Sequence, residues 1–144
     1  MKKLLKMAAG YSTTPLAKKL GIKPGHIVRL INAPEHYFSL FTDLPNDIRI
    51  SDNLKEKKDF VHLFTKDNSE LNKLLPKLKN EIVANGIIWV SWPKKSAKVT
   101  SDVNENMIRD LALKIGLVDI KVCAVDEVWS GLKLVIPVKD RNIG

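Results

Sequence analysis

Apolar residues fall along this chain in two alternating textures: short filled runs, and stripes spaced three and four apart. The filled runs are HIVRLIN at 26–32, DFVHLFT at 59–65 and IIWVSW at 87–92, with a shorter DIRI at 47–50. Runs this apolar predict strands covered on both faces, as in parallel sheets. Arg29 interrupts the first run, so it must reach an edge or a partner. The stripes predict helices. From a cap at Ser69, Leu71, Leu74, Leu75, Leu78 and Ile82 share one face of a 3.6-residue helix, with Pro76 inside it removing one internal hydrogen bond or kinking the axis. From a cap at Ser101, the buried face is Val103, Met107, Ile108, Leu111, Ala112 and Ile115, ended by Lys114 and Gly116.

Shorter elements complete the order. Thr14 caps a small helix whose first position is Pro15, whose Leu16 and Leu20 share a stripe, and which Gly21 stops. Lys23-Pro24-Gly25 then turns the chain. A short helix is expected from Pro34 to Phe41, and a turn at Asn85-Gly86 before the strand at 87–92. Residues 117–125 and 131–138 are two further strands, with only DEVWS between them, and so pair as an antiparallel hairpin. The expected fold is therefore α/β: a three-layer Rossmann-like sheet of about six strands, mostly parallel, closed by the C-terminal hairpin. Right-handed crossovers would bring the functional loops to the carboxyl ends of the parallel strands. One domain over residues 1–144 is expected, with residues 1–10 a flexible basic arm.

Composition narrows the classes. The chain is 44% hydrophobic and has seven Gly and seven Pro, too apolar for a disordered basic tail and too poor in Gly and Pro for a low-complexity chain. Its one Cys, Cys123, allows no internal disulfide and no thiolate zinc cluster. The histidines His26, His36 and His62 are dispersed without metal-ligand spacing, so no metal is expected. No stretch reaches the length of a bilayer span, and the opening MKKLLKMAAG lacks a long apolar core; a cytoplasmic location and no membrane partner are the expectation.

Net charge is +8, but only four of the 24 basic residues are arginines, the better readers of base edges. The surplus is local. Lys2, Lys3, Lys6, Lys18 and Lys19 precede the first acid, and Lys94, Lys95 and Lys98 form a second group. A solvated surface and an anion-facing patch both account for it.

Candidate chemistry concentrates at the predicted strand ends. Asn32 and Glu35 flank the turn after the first strand, and Glu35 equally suits the first turn of a helix. Lys66 follows the 59–65 strand. Ser91, Trp92, Lys94 and Lys95 follow the 87–92 strand, where Trp92 would stack a ring or cover the core while the lysines supply charge. Asp126, Glu127, Trp129 and Ser130 lie in the hairpin, where adjacent acids do not face each other and Trp129 equally anchors a turn. No GxSxG, phosphate-binding loop or dinucleotide glycine pattern occurs.

The strand, helix, NGIIWVSWP strand, helix and final hairpin resemble the later half of a class I methyltransferase. That resemblance implies S-adenosylmethionine as cofactor, a glycine-rich turn after the first strand and an acid after the second. The chain departs from it with Asn32-Ala33-Pro34-Glu35 after the first strand, while Asp52 is the candidate for the ribose-binding acid. The phrases GYSTTPLAKKLGIKPG at 10–25, VSWPKK at 90–95 and VCAVDEVWSGLKLV at 122–135 resemble a small bacterial family known only as a domain of unknown function. The matching residues include Tyr11, Thr14, Trp92, Lys94, Lys95, Asp126, Glu127, Trp129 and Ser130; the resemblance implies no catalytic role. Three functions follow: non-catalytic binding of a small anionic ligand or a protein partner, as the leading reading; an S-adenosylmethionine-dependent methyltransferase with a degenerate cofactor motif; and non-specific nucleic-acid binding.

Overall fold

The computed structural model describes residues 14–141; the basic arm expected at 1–10 and Tyr11 lie outside the described residues. The filled runs become strands of one six-stranded sheet. In chain order the elements are α1 (Leu16–Leu20), β1 (Ile27–Ile31), β2 (Arg49–Ile50), β3 (Lys58–Phe64), α2 (Asn68–Lys79), β4 (Ile82–Pro93), α3 (Glu105–Lys114), β5 (Val118–Ala124) and β6 (Trp129–Val135). The strand order is β2-β1-β3-β4-β6-β5. The first four are parallel, and β6 runs antiparallel between β4 and β5. The expected α/β sheet with its antiparallel C-terminal hairpin is the observed one.

Strand alternation divides the core into two layers. Val61, Leu63, Ile88, Val90, Trp92, Leu132 and Leu134 face α2 and α3, where Leu71, Leu75, Leu78, Ile108 and Ala112 complete one buried cluster. Val28, Phe60 and Trp89 face the other way, against Ala17, Leu20 and Ile22 of the α1 segment. The Trp89 indole N–H donates to Leu20 O at 2.7 Å, fixing α1 to the sheet. Gly131 sits at a close approach in this layer: an added Cβ would lie 2.9 Å from Trp89 Cε3 and 3.2 Å from Ser91 Oγ. Gly131→Ala should therefore cost about 1–3 kcal/mol as overpacking, read as a lower urea midpoint without a change in its slope.

Several local expectations are corrected. Asn85-Gly86 is not a turn before a strand. β4 is continuous from Ile82, and the pairing jumps from Lys58–Ile82 to Phe60–Ile87, leaving residues 83–86 as a bulge. Gly86 is required there because a Cβ would lie 2.8 Å from Ile82 Cβ and 3.0 Å from Val83 O. The helix expected at 34–41 shrinks to a 3-10 turn, Tyr37–Leu40. Thr14 does not cap α1: Pro15 holds the N-cap position, and the first amides are met by Asp43, whose two oxygens accept Ala17 N and Lys18 N at 2.9 and 3.0 Å. The caps of α2 and α3 move two residues and three residues from Ser69 and Ser101, to Asp67 on Ser69 N and Asn104 on Met107 N. Pro76 remains inside a continuous α2.

Arg29 finds its partner at the amino ends of the central strands. Its Nη1 lies 2.5 Å from Glu81 Oε1, and the same oxygen receives Lys58 Nζ at 3.1 Å. Lys58 is completely buried, and its ammonium also donates to Asn53 O at 2.6 Å.

Candidate functional site

The strand order reverses direction between β1 and β3: β1 connects onward to β2 on its far side, while β3 leads to β4. In open α/β sheets a crevice forms at the carboxyl ends of the strands at such a switch point, and ligands bind there. A cleft of about 420 Å³ occupies this position, lined by Asn32, Phe64, Thr65, Lys66, Asp67, Glu70 and Trp129. That volume falls within the range of small-molecule sites.

Each wall follows from a local feature. β1 exits through Asn32 with φ 60°, a left-handed conformation that asparagine tolerates better than other non-glycine residues. The Asn32 side-chain amide then bridges to Phe64 O and to Glu70 Oε1, both at 3.2 Å. Glu70 is held from the other side by the Thr65 hydroxyl at 2.8 Å. Asp67 caps α2, and donation from the Ser69 side chain and backbone holds its carboxyl below the ordinary aspartate range. Two carboxylates thus border the cleft, with Lys66 exposed at its rim.

The floor is aromatic. Phe64 meets Trp129 edge to face, with centroids 5.0 Å apart, and stacks on His62 beneath it at 4.2 Å. His62 is fully buried between Tyr37 and Ser91: Nδ1 lies 3.0 Å from the Tyr37 hydroxyl and Nε2 lies 2.8 Å from Ser91 Oγ. A neutral imidazole satisfies both contacts, donating through one nitrogen and accepting at the other. Burial pushes the His62 pKa down to about 3 and the Tyr37 pKa up. This chain of polar groups holds the 3-10 turn onto the sheet and does not open into the cleft, since Tyr37, His62 and Ser91 are all buried.

Asp126 positions the remaining wall. Its Oδ1 accepts Val128 N and Trp129 N at 2.8 and 2.7 Å, while Oδ2 meets His36 Nε2 at 3.2 Å. The β5–β6 turn is thereby tied to the segment that follows Asn32, and Trp129 is aimed at Phe64.

The sequence candidates therefore separate. Asn32, Lys66 and Trp129 meet at the cleft, and Asp126 orients Trp129 from behind. Ser91 is buried on His62. Trp92 points to the opposite face, in the core against α2 and α3, because it is one residue out of phase with Ser91. Lys95 begins an exposed 3-10 turn, and Lys94 N donates to Val128 O. Glu35, Glu127 and Thr14 are exposed and Ser130 half-buried, none of them lining the cleft. Asp52 is displaced by register: β2 ends at Ile50, which pairs with Val28, so the strand stops well short of Asn32. Phe64, Thr65, Asp67 and Glu70 are not among those candidates; they run from the end of the predicted 59–65 strand through the following turn into α2, on either side of Lys66.

Among the described residues no group of three His, Cys, Asp or Glu side chains is placed to hold a metal, and no helix is long and apolar enough to cross a membrane. No curated protein matches the chain. Solved structures do share its fold. LepI in complex with SAM is 14% identical with a TM-score of 0.52, over 84% of this chain but 39% of LepI, so the chain spans well under half of that protein. Magnesium protoporphyrin IX methyltransferase (ChlM) from Synechocystis PCC 6803 with bound SAH is 14% identical, with a TM-score of 0.56 over 81% of this chain and 76% of that one. The ribosomal protein L11 methylase from Lactobacillus delbrueckii subsp. bulgaricus is 12% identical, with a TM-score of 0.55 over 83% of this chain and 74% of that one. At these identities the likeness establishes a Rossmann-like, methyltransferase-type fold. Residues 17–138 match the family described as Protein of unknown function (DUF3052), and the chain belongs to that family.

Proposed function

We propose that the cleft between β1 and β3 binds S-adenosylmethionine or a closely related nucleoside-bearing cation, and that the protein is a methyltransferase with a reduced cofactor site. The observation that carries this reading is the lining: an aromatic pair, Phe64 and Trp129, beside the carboxylates of Asp67 and Glu70 at the topological switch point. An acidic, aromatic cleft suits a sulfonium or an adenine ring and opposes the small anion expected from the SWPKK group at 91–95.

The donor set fits such a molecule in kind. Trp129 offers a ring to a base, Asp67 and Glu70 balance positive charge, and the left-handed Asn32 makes the sharp exit from β1 that a glycine otherwise makes. The fit is narrower than in a glycine-lined turn because the Asn32 amide reaches across to Phe64 O and Glu70, and Ala33 and Pro34 follow it. Bound there, S-adenosylmethionine would supply an electrophilic methyl group. The buried His62 and Ser91 leave the cleft without a histidine base, so the chain's own part is to bind, orient and exclude water.

Titration calorimetry with S-adenosylmethionine and S-adenosylhomocysteine tests the reading. Binding should be saturable, and Trp129→Ala should weaken it by about tenfold or more, the loss of one base–aromatic stack. No heat with millimolar cofactor would reject it.

A further inference from the structure

A second feature lies away from the cleft and shares no residue with it. Lys121 on β5 and Lys133 on β6 are direct cross-strand partners, on the face that also carries Cys123 opposite Gly131. Like charges in this position destabilise a strand pair, so a sheet does not place them together for its own sake. α1 and the turn after it bring two more lysines, Lys19 and Lys23, to the same place. Lys19 Nζ donates to Ala124 O at 2.9 Å, and Lys121 Nζ donates to Lys19 O at 3.3 Å. Lys133 Nζ lies beside Gly21, 3.5 Å from where a Cβ would stand. Lys23 is exposed two residues further along, at the mouth of a depression of about 430 Å³ that Gly21, Ile22 and Pro24 also line.

No carboxylate answers this charge. Among the described residues none of the four lysines forms an ion pair, and the ammoniums of Lys19 and Lys121 donate to main-chain carbonyls. Asp43 borders the same depression, but its two oxygens accept the Ala17 and Lys18 amides. Partial burial and then the neighbouring Lys121 and Lys23 ammoniums lower the Lys133 pKa from the ordinary lysine value. Beside them the Cys123 thiol is pushed up by burial, against the pull of Lys19, Lys121 and Lys133.

We propose that Lys19, Lys23, Lys121 and Lys133 form a phosphate-binding site built by α1 and the β5–β6 pair. A phosphate group carries the compensating charge that the fold leaves out, and its oxygens accept from several rotatable ammoniums at once. The group can belong to a nucleic-acid backbone or to a free phosphorylated molecule, and two probes separate these sources: inorganic pyrophosphate, and a fluorescein-labelled single-stranded oligonucleotide.

The experiment uses the full chain, a Lys121→Gln/Lys133→Gln variant, and a Lys73→Gln/Lys77→Gln control that removes the same net charge from the exposed side of α2. Thermal melting in buffer alone checks folding, and the cluster variant should melt no lower than the native chain because a repulsion has been removed. Pyrophosphate should raise the melting temperature of the native chain and of the control, and leave the cluster variant unmoved. If nucleic acid is the source, anisotropy shows salt-sensitive oligonucleotide binding, and the slope of log K against log salt falls by about 1.4 in the cluster variant alone. Lys133→Arg, which keeps the charge, should retain binding. Equal losses in cluster variant and control overturn the site in favour of net charge, and no response of the native chain to either probe overturns it outright. A cluster variant that melts below the native chain and still binds both probes also overturns it.

Discussion

Glu81→Ala should be the most destabilising single substitution in the polar part of this protein, costing about 3–5 kcal/mol. Glu81 Oε1 is the shared partner of Arg29 and Lys58. Lys58 is wholly buried and Arg29 is only 21% exposed. Removing the carboxylate leaves two cations at the sheet's amino edge, one held only by the Asn53 carbonyl. Desolvated charge without a partner is among the few mechanisms that reach this size. The measurement is a double-mutant cycle by urea unfolding. Lys58→Met in the Glu81→Ala background should recover part of the loss, since replacing both ends of a buried pair costs less than replacing one. Additive effects would show that the pair does not act as a unit.

The second large effect is acid lability traceable to His62. The pKa of its imidazole is depressed from the ordinary 6.5 to about 3 by burial, so the neutral form belongs to the native state. The unfolded chain takes up a proton near pH 6.5 that the native chain refuses until about pH 3. The stabilisation is therefore complete above pH 6.5 and is lost as the pH falls through the window down to about 3, at about 1.4 kcal/mol per pH unit. At pH 4 the loss is on the order of 3 kcal/mol. Carboxylates with depressed pKa, among them Glu56 at about 2 beside Arg49 and Asp119 beside Arg109, add a slope of the same sign at lower pH. A His62→Gln variant separates the two contributions. It keeps polar atoms near Tyr37 and Ser91 but cannot charge, so its stability deficit against the native chain should shrink between pH 6.5 and 4. Parallel pH curves for the two proteins would falsify the assignment.

The sheet was legible because its signals are local. Filled runs such as Phe60–Phe64 and the stripe from Leu71 to Leu78 identify strand and helix without knowledge of what they touch. The need of Arg29 for a partner was equally plain. The partner was not, because Glu81 lies 52 residues away and is brought near by the β1–β3–β4 order.

The same limit explains the candidate site. Which tryptophan faces the cleft depends on strand phase: Trp92 pairs with Ser130 and Pro93 with Trp129, so adjacent positions reach opposite layers. Composition favours either ring equally. Asn85-Gly86 reads as a turn by local chemistry, yet the Lys58–Ile82 pairing draws it into a bulge. The cap of α1 comes from Asp43, 26 residues after the amide it accepts, which no local cap rule can anticipate. Asp67 and Glu70 at the start of α2 carry no local mark of a binding site; only the β1–β3 adjacency makes them walls.

Asn32 has a further consequence for how readily this cleft can change. Its backbone already stands at φ 60°, where glycine is at ease. What narrows the cleft is one side-chain amide tied to Phe64 and Glu70. Widening the entrance therefore asks for no new loop, no inserted residue and no altered strand. A single codon change to glycine would do it, at the expense of two hydrogen bonds. The distance between a constricted crevice and an accommodating one is, in this fold, one residue.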